Sequence, residues 1–176
     1  MHPSFHCNLC DHQEKSLTQG ATCGLTARKP EFSNTCSKIT LNQKFEDRLK
    51  EVNIHYTKLQ KQQLLTYVYF FAFLSIGLAV IAGGYLFGVY VYDQGFISTV
   101  PLTIMAIGLA PLGMAIGTLH KHRQNLASAK RNKAKVDAVL KPYNITYTIA
   151  IDFGKSYHGV QEVYADLKLK GLPGIR

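Results

Sequence analysis

The sequence predicts a mainly α membrane protein, a hairpin of two transmembrane helices with a cytoplasmic helical stem, an N-terminal cysteine-rich module and a small C-terminal β element. Three observations predict this class. The chain has 20 Lys and Arg and 11 Asp and Glu, yet Asp93 is the only one of them between Leu64 and Leu119. All four cysteines lie within the first 36 residues, and apolar residues alternate along residues 145–153. Soluble domains mix charged and apolar residues throughout, so a soluble globular protein is not the expected class.

Two uncharged apolar runs are predicted to cross the membrane as helices. The first covers residues 64–92 and the second covers residues 99–119, with a short external loop at 93–98. A bilayer core of ~30 Å needs roughly 20 helical residues, and both runs reach that length. Two buried helices of a soluble core are the alternative, which the length of the runs disfavours.

The orientation follows from the positions of Lys and Arg. The loop at 93–98 contains neither, whereas residues 41–63 and 120–141 contain many. Because positively charged flanks remain in the cytoplasm, both termini are predicted to be cytoplasmic. The first apolar run begins only at Leu64, so no cleavable signal peptide is expected.

Each predicted span carries small residues one helical turn apart, which let helix backbones approach closely in lipid. These residues are expected to pack the two spans together, or to dock another protein or a second copy of the chain. They are Gly84 and Gly88 in the first span, and Ala106, Ala110, Gly113 and Gly117 in the second.

The residues that flank the spans predict a two-helix stem, whose helices pair within the chain or form a coiled coil with another subunit. Residues 41–63 form a predicted amphipathic helix, with a seam of apolar residues spaced by four and three positions. The members of the seam are Phe45, Leu49, Val52, Tyr56 and Leu59. Residues 120–141 form a predicted basic helix with Leu126, Ala129, Val136 and Leu140 on one side.

The basic helix is expected to contact anionic lipid headgroups, because Lys and Arg near a membrane surface attract them. The residues expected to do so are Lys121, Arg123, Lys130 and Arg131. Nucleic acid is not an expected partner, since no interleaved aromatic residues accompany the charge.

The four cysteines, Cys7, Cys10, Cys23 and Cys36, have the spacing C-x2-C-x12-C-x12-C. In a reducing compartment such a set favours a metal over a disulfide framework, and four thiolates suit tetrahedral Zn²⁺. Residues 1–40 are therefore predicted to form a zinc-finger-like module with a structural Zn²⁺. Unliganded thiols, or a redox or iron site, are the alternatives. One of the three nearby histidines could replace a cysteine ligand: His2, His6 or His12.

This segment resembles a short cysteine-rich module at the N-termini of small, uncharacterised bacterial membrane proteins. The residues that carry the resemblance are Cys7, Cys10, Cys23, Gly24, Leu25, Thr26, Lys29, Pro30, Phe32 and Cys36. The resemblance covers about a fifth of the chain. It implies a bacterial inner (cytoplasmic) membrane and zinc, and it implies no particular reaction.

The C-terminal residues 142–176 are predicted to form a β-hairpin, or a strand followed by a helix. Residues 145–153 alternate as a strand does, residues 154–159 resemble a turn, and residues 160–170 fit either element. We favour the hairpin.

No catalytic residue, cofactor-binding residue or small-molecule substrate is predicted, because no Ser/His/Asp set or carboxylate pair stands out. The leading expectation is a non-catalytic accessory or scaffold subunit of a larger inner-membrane complex, whose partners are other membrane protein subunits. A self-assembling two-span membrane effector or small channel is one alternative. A metal- or redox-sensing membrane protein is another.

Overall fold

The computed structural model describes residues 3–17, 20–41, 43–91, 98–157 and 160–171. The described chain is mostly helical. Its elements are α1 (Ser4–Cys7), β1 (Gln13–Ser16), β2 (Gly20–Cys23), α2 (Gln43–Tyr90), α3 (Thr99–Leu140), a 3-10 turn (Lys141–Tyr143), β3 (Thr146–Tyr157) and β4 (Val160–Lys170). The predicted external loop lies outside the described residues apart from Ser98. The chain divides into two compact units, residues 59–127 and residues 1–58 with 128–176.

The unit of residues 59–127 consists of the apolar parts of α2 and α3. Both helices are long and apolar enough to cross a membrane. Only 6% of the most apolar 18-residue stretch of α2 and 11% of that of α3 are buried, whereas the core helices of a soluble protein are mostly buried. Within the described residues α2 ends at Tyr90, slightly before the predicted end of the first span at residue 92.

The two helices of this unit pack antiparallel through glycines. A Cβ built on Gly77 would lie 2.7 Å from Leu112 Cδ2 and 3.0 Å from the carbonyl oxygen of Gly108. A Cβ on Gly84 would lie 2.9 Å from Met105 Cγ. Such close approach of backbones is available only where the side chain is absent.

The other unit has a single described apolar core, formed where the start of α2 meets the end of α3. The buried members are Leu9, Leu41, Phe45, Leu49, Val52, Val136, Val139, Leu140 and Ile145. The burial of Phe45, Leu49 and Val52 against Val136 and Leu140 confirms the predicted apolar seam. Phe5 and Ile39 pack against the same core, so the cysteine-rich segment is anchored by apolar contacts as well.

The C-terminal segment is an antiparallel hairpin of β3 and β4, as favoured, and residues 160–170 are a strand. The expected turn at residues 154–159 is wrong in part, because β3 continues to Tyr157. The register of β3 against β4 shifts between Phe153 and Ser156, and Gly154 lies within the strand at this irregularity. A Cβ on Gly154 would lie 3.2 Å from Glu162 Cβ, so the missing side chain permits the close packing there.

Candidate functional site

The four cysteines all occupy the same local setting, the first position of a tight turn. The carbonyl of each accepts a hydrogen bond from the backbone N–H three residues later, at distances of 3.1–3.4 Å. The donors are Cys10, Gln13, Thr26 and Ile39. Gly24 completes the turn after Cys23, where its N–H donates to the carbonyl of His12 at 2.8 Å. Four cysteines in similar turns are brought together by the small β1–β2 sheet and the chain that follows it.

The thiols line one small cavity of about 20 Å³, together with His6 and His12. That is room for roughly one water-sized particle. All four cysteines are free thiols, with Cys7 and Cys10 buried. As the side chains stand, the described residues include no group of three or more His, Cys, Asp or Glu placed to hold a metal ion. The cavity thus has the predicted donor residues around it but not a ligand geometry.

Hydrogen bonds fix the backbone and several side chains around this cavity. The N–H of Thr40 points at Cys10 Sγ at 3.5 Å, a contact that suits a thiolate acceptor. Lys44 Nζ donates to the carbonyl of Cys10 at 3.0 Å. The N–H of Cys36 donates to the Tyr143 hydroxyl at 2.9 Å, and that hydroxyl lies 3.0 Å from His6 Nδ1.

Two of these neighbours, Lys44 and Tyr143, were not predicted from the sequence. Tyr143 is 107 positions from Cys36, and no local spacing signals such a contact. His12 is also engaged, because its Nε2 lies 3.1 Å from the Thr40 hydroxyl. His2 lies outside the described residues.

The electrostatic setting of Cys7 does not resemble that of a reactive cysteine. Burial, reinforced by the neighbouring cysteines, raises the pKa of Cys7 to about 11. Reactive cysteines have lowered pKa values in exposed, electropositive settings. A neutral Cys7 thiol is therefore a poor nucleophile at neutral pH.

The small residues predicted to pack helices fall into two groups. Gly84 and Gly88 of α2 are buried. Ala106, Ala110, Gly113 and Gly117 of α3 are exposed, and a Cβ on either of these two glycines would meet nothing within 4 Å. At about 100° per residue, these four lie on the side of α3 opposite Gly108, which packs on α2. We call them the small-residue face of α3.

The four residues predicted to contact lipid headgroups, Lys121, Arg123, Lys130 and Arg131, are all exposed on α3. Arg123 hydrogen-bonds the side chain of Tyr67. Lys133 and Lys135 of the same basic stretch also contact the protein. Lys135 Nζ lies 5.5 Å from the centre of the Phe5 ring.

A second polar cluster, missed from the sequence, surrounds the hydroxyl of Tyr147 on β3. The hydroxyl donates to Asp137 Oδ1 at 2.6 Å and accepts from Lys133 Nζ at 2.6 Å. The buried Asn53 of α2 donates to the same oxygen at 3.3 Å and to the carbonyl of Leu49 at 2.8 Å. The i,i+4 spacing of Lys133 and Asp137 is visible in the sequence, but their shared partner is not.

Comparison with protein-family models, with curated proteins and with solved structures finds no match to this chain.

Proposed function

We propose that this chain is a non-catalytic scaffold subunit of a bacterial inner-membrane complex, held in the bilayer by α2 and α3 with both termini in the cytoplasm. The observation that carries the proposal is the small-residue face of α3, which is exposed and turned away from α2. Its occupant is an apolar transmembrane helix of another subunit.

The physics of helix association in lipid supports that occupant. Lipid tails are as apolar as leucine, so helices associate there through close van der Waals packing rather than through the hydrophobic effect. Residues 106–117 extend over roughly 17 Å of helix, about half of a ~30 Å bilayer core. The hairpin itself is packed elsewhere, through Gly77, Gly84 and Gly108.

The exposed basic residues of α3 support a cytoplasmic orientation and contact with anionic lipids. Each Lys or Arg near an anionic surface contributes about 1 kcal/mol of attraction. Lys121 and Arg123 follow the apolar stretch at once, where the positive-inside rule counts charges most.

For the cysteine cavity we propose a structural Zn²⁺ held by Cys7, Cys10, Cys23 and Cys36. The shared cavity, the four similar turns and the Thr40 N–H directed at Cys10 Sγ support this assignment. Binding requires the four sulfur atoms to close to about 2.3 Å from one centre. Zinc would then stabilise a segment that has only short elements of its own.

The zinc proposal is tested by metal analysis of the full-length protein purified in mild detergent. We expect about one zinc ion per chain. Cys23→Ser should lower the zinc content at least tenfold, whereas Ser37→Ala, an exposed hydroxyl beside Cys36, should leave it unchanged. Wild-type protein without stoichiometric zinc, or with stoichiometric iron, would contradict the proposal.

The scaffold proposal is tested by gentle extraction of a tagged chain, followed by particle mass and identification of co-purifying polypeptides. We expect an unrelated membrane protein in fixed ratio. Gly113→Leu should reduce its recovery about tenfold, because a large side chain fills the close contact. Met114→Leu, an exposed and volume-matched change beside the face, should have no effect.

Other outcomes of the same experiment separate the alternatives. A ring or bundle of this chain alone, lost in Gly113→Leu, would favour the self-assembling effector or channel. A particle that contains no unrelated chain and does not change with Gly113→Leu would contradict a docking role for the small-residue face.

A further inference from the structure

The C-terminal hairpin has an unusually long open edge. β4 is 11 residues long, roughly 36 Å, whereas typical strands have about 5–6 residues. Within the described part of the chain β4 pairs with β3 and with no other strand. A sheet of only two strands is marginal in water unless further strands or packing against a helix support it. Tyr147, Leu167 and Leu169, near one end of the hairpin, have such packing against the core. The edge of β4 is therefore a surface suited to strand addition.

The two edges of the hairpin are not equivalent. In β3, Gly154 and Lys155 lie between the paired residues Phe153 and Ser156, opposite Glu162 alone. Such an extra residue bends a strand and disturbs its outer edge. β4 contains no extra residue, so it presents the regular edge.

Side chains on β4 alternate between a polar and an apolar face. Glu162, Tyr164, Asp166 and Lys168 are exposed on one face. Val163, Ala165, Leu167 and Leu169 are half-buried on the other. An added antiparallel strand must match both faces, because a shift of one residue would place its apolar side chains on the polar face.

We propose that β4 pairs antiparallel with β4 of a second copy of this chain, about a two-fold axis at Ala165. In this register the whole strand is paired, because Val160 lies opposite Lys170 of the partner subunit. Glu162 then faces Lys168 of the partner subunit. The same register sets Tyr164 opposite Asp166 of the partner subunit, and Val163 opposite Leu167 of the partner subunit.

Charge complementarity selects this register over its neighbours. If the two-fold axis moves from Ala165 to Tyr164, Glu162 lies opposite Asp166 of the partner subunit. If the axis moves to Asp166, Glu162 faces Lys170 of the partner subunit, but the two Asp166 carboxylates lie directly opposite each other. Directly opposed unlike charges stabilise a strand pair, and like charges destabilise it. The full-length register has two Glu–Lys pairs by symmetry and no pair of like charges.

The pairing produces a four-stranded sheet with one continuous apolar face, which meets the usual requirement for a stable sheet. Among the apolar residues of the hairpin, three pack against the apolar core of the same unit: Tyr147, Leu167 and Leu169. The edge pairing adds cross-strand contacts for Val163, farther along the hairpin.

Disulfide trapping in the full-length protein, reconstituted in lipid nanodiscs, tests the symmetry axis. In Ala165→Cys the two introduced thiols face each other at a Cα separation of about 4.5–5.5 Å, within disulfide range. Mild oxidation should give a linkage between the two residues at position 165, identified by peptide mass spectrometry. Ala150→Cys, an alanine on β3, is the matched control and should give at least tenfold less linkage. Equal linkage at both positions, or none at 165, would overturn the proposal.

Charge exchange tests the register with side chains on the polar face. Glu162→Lys sets like charges opposite each other twice, so the dimer Kd should rise roughly tenfold. The double change Glu162→Lys with Lys168→Glu restores unlike pairs and should recover the wild-type Kd. If the double variant remains as weak as the single variant, the register is wrong. Recovery of another subunit through α3 should not change in either variant, which separates this test from that of the scaffold.

Discussion

At the scale of single residues, the hydroxyl oxygen of Tyr147 joins three elements. Its contacts change the pKa values of two groups, Tyr147 itself and Lys133. Burial, followed by the hydrogen bond to Asp137, raises the pKa of Tyr147. Burial lowers the pKa of Lys133, but the contacts with Tyr147 and Asp137 outweigh it, so the net pKa is raised. Both shifts mean that the folded state favours the protonated form.

These shifts predict a loss of stability at alkaline pH. Because both groups bind their protons more tightly when folded, the stabilisation is complete below their ordinary pKa values near 10 and is lost as the pH rises through the raised values. Urea unfolding, followed by circular dichroism from about pH 7 to about pH 11, measures it. Tyr147→Phe should cost about 1 kcal/mol at neutral pH and decline less steeply above about pH 10. Parallel pH profiles for the two proteins would show that the cluster does not titrate with folding.

At the scale of elements, the hairpin of α2 and α3 depends on Gly84, which the sequence pattern predicted, and on Gly77 and Gly108, which it did not. A Cβ on Gly108 would lie 2.7 Å from Ile81 Cγ1 and 3.0 Å from the carbonyl oxygen of Gly77. The backbone atom cannot move aside as the end of a side chain can. The contact between these two helices is therefore intolerant of any side chain at that position.

Gly108→Leu should lower the melting temperature of the detergent-solubilised protein by roughly 5 °C, since overpacking costs about 1–3 kcal/mol. Gly113→Leu provides the matched control, because the same change there meets open space and should leave the melting temperature of the isolated chain unaltered. Equal melting temperatures for the two variants would mean that the helices do not pack through Gly108.

At the scale of the whole molecule, the proposed orientation places positions 94 and 128 on opposite sides of the membrane. In intact spheroplasts, a membrane-impermeant maleimide should label Gln94→Cys. It should label Ser128→Cys, at an exposed position on α3, only after the membrane is permeabilised. Labelling of Ser128→Cys from outside would reverse the orientation.

The features that depend on local composition were predictable. The two long helices follow from uncharged runs, the seam of Phe45, Leu49 and Val52 from its spacing, and the strands from alternation. The features that depend on tertiary contact were not. No pattern near Cys36 predicts its contact with Tyr143. The spacing of small residues does not distinguish the buried Gly84 from the exposed Gly113. The hydrogen-bond partners of Tyr147 were not predictable for the same reason.

The small-residue face of α3 has a consequence for the surrounding lipid. Along Ala106, Ala110, Gly113 and Gly117 the helix surface is recessed, and flexible acyl chains must adopt fewer conformations to fill such a hollow. In the proposed complex another helix displaces those chains, so their conformational freedom returns to the bilayer and contributes to association. The strength of docking is then a property of the membrane as well as of the two proteins. Bilayers of different acyl-chain composition should assemble the same chain to different extents.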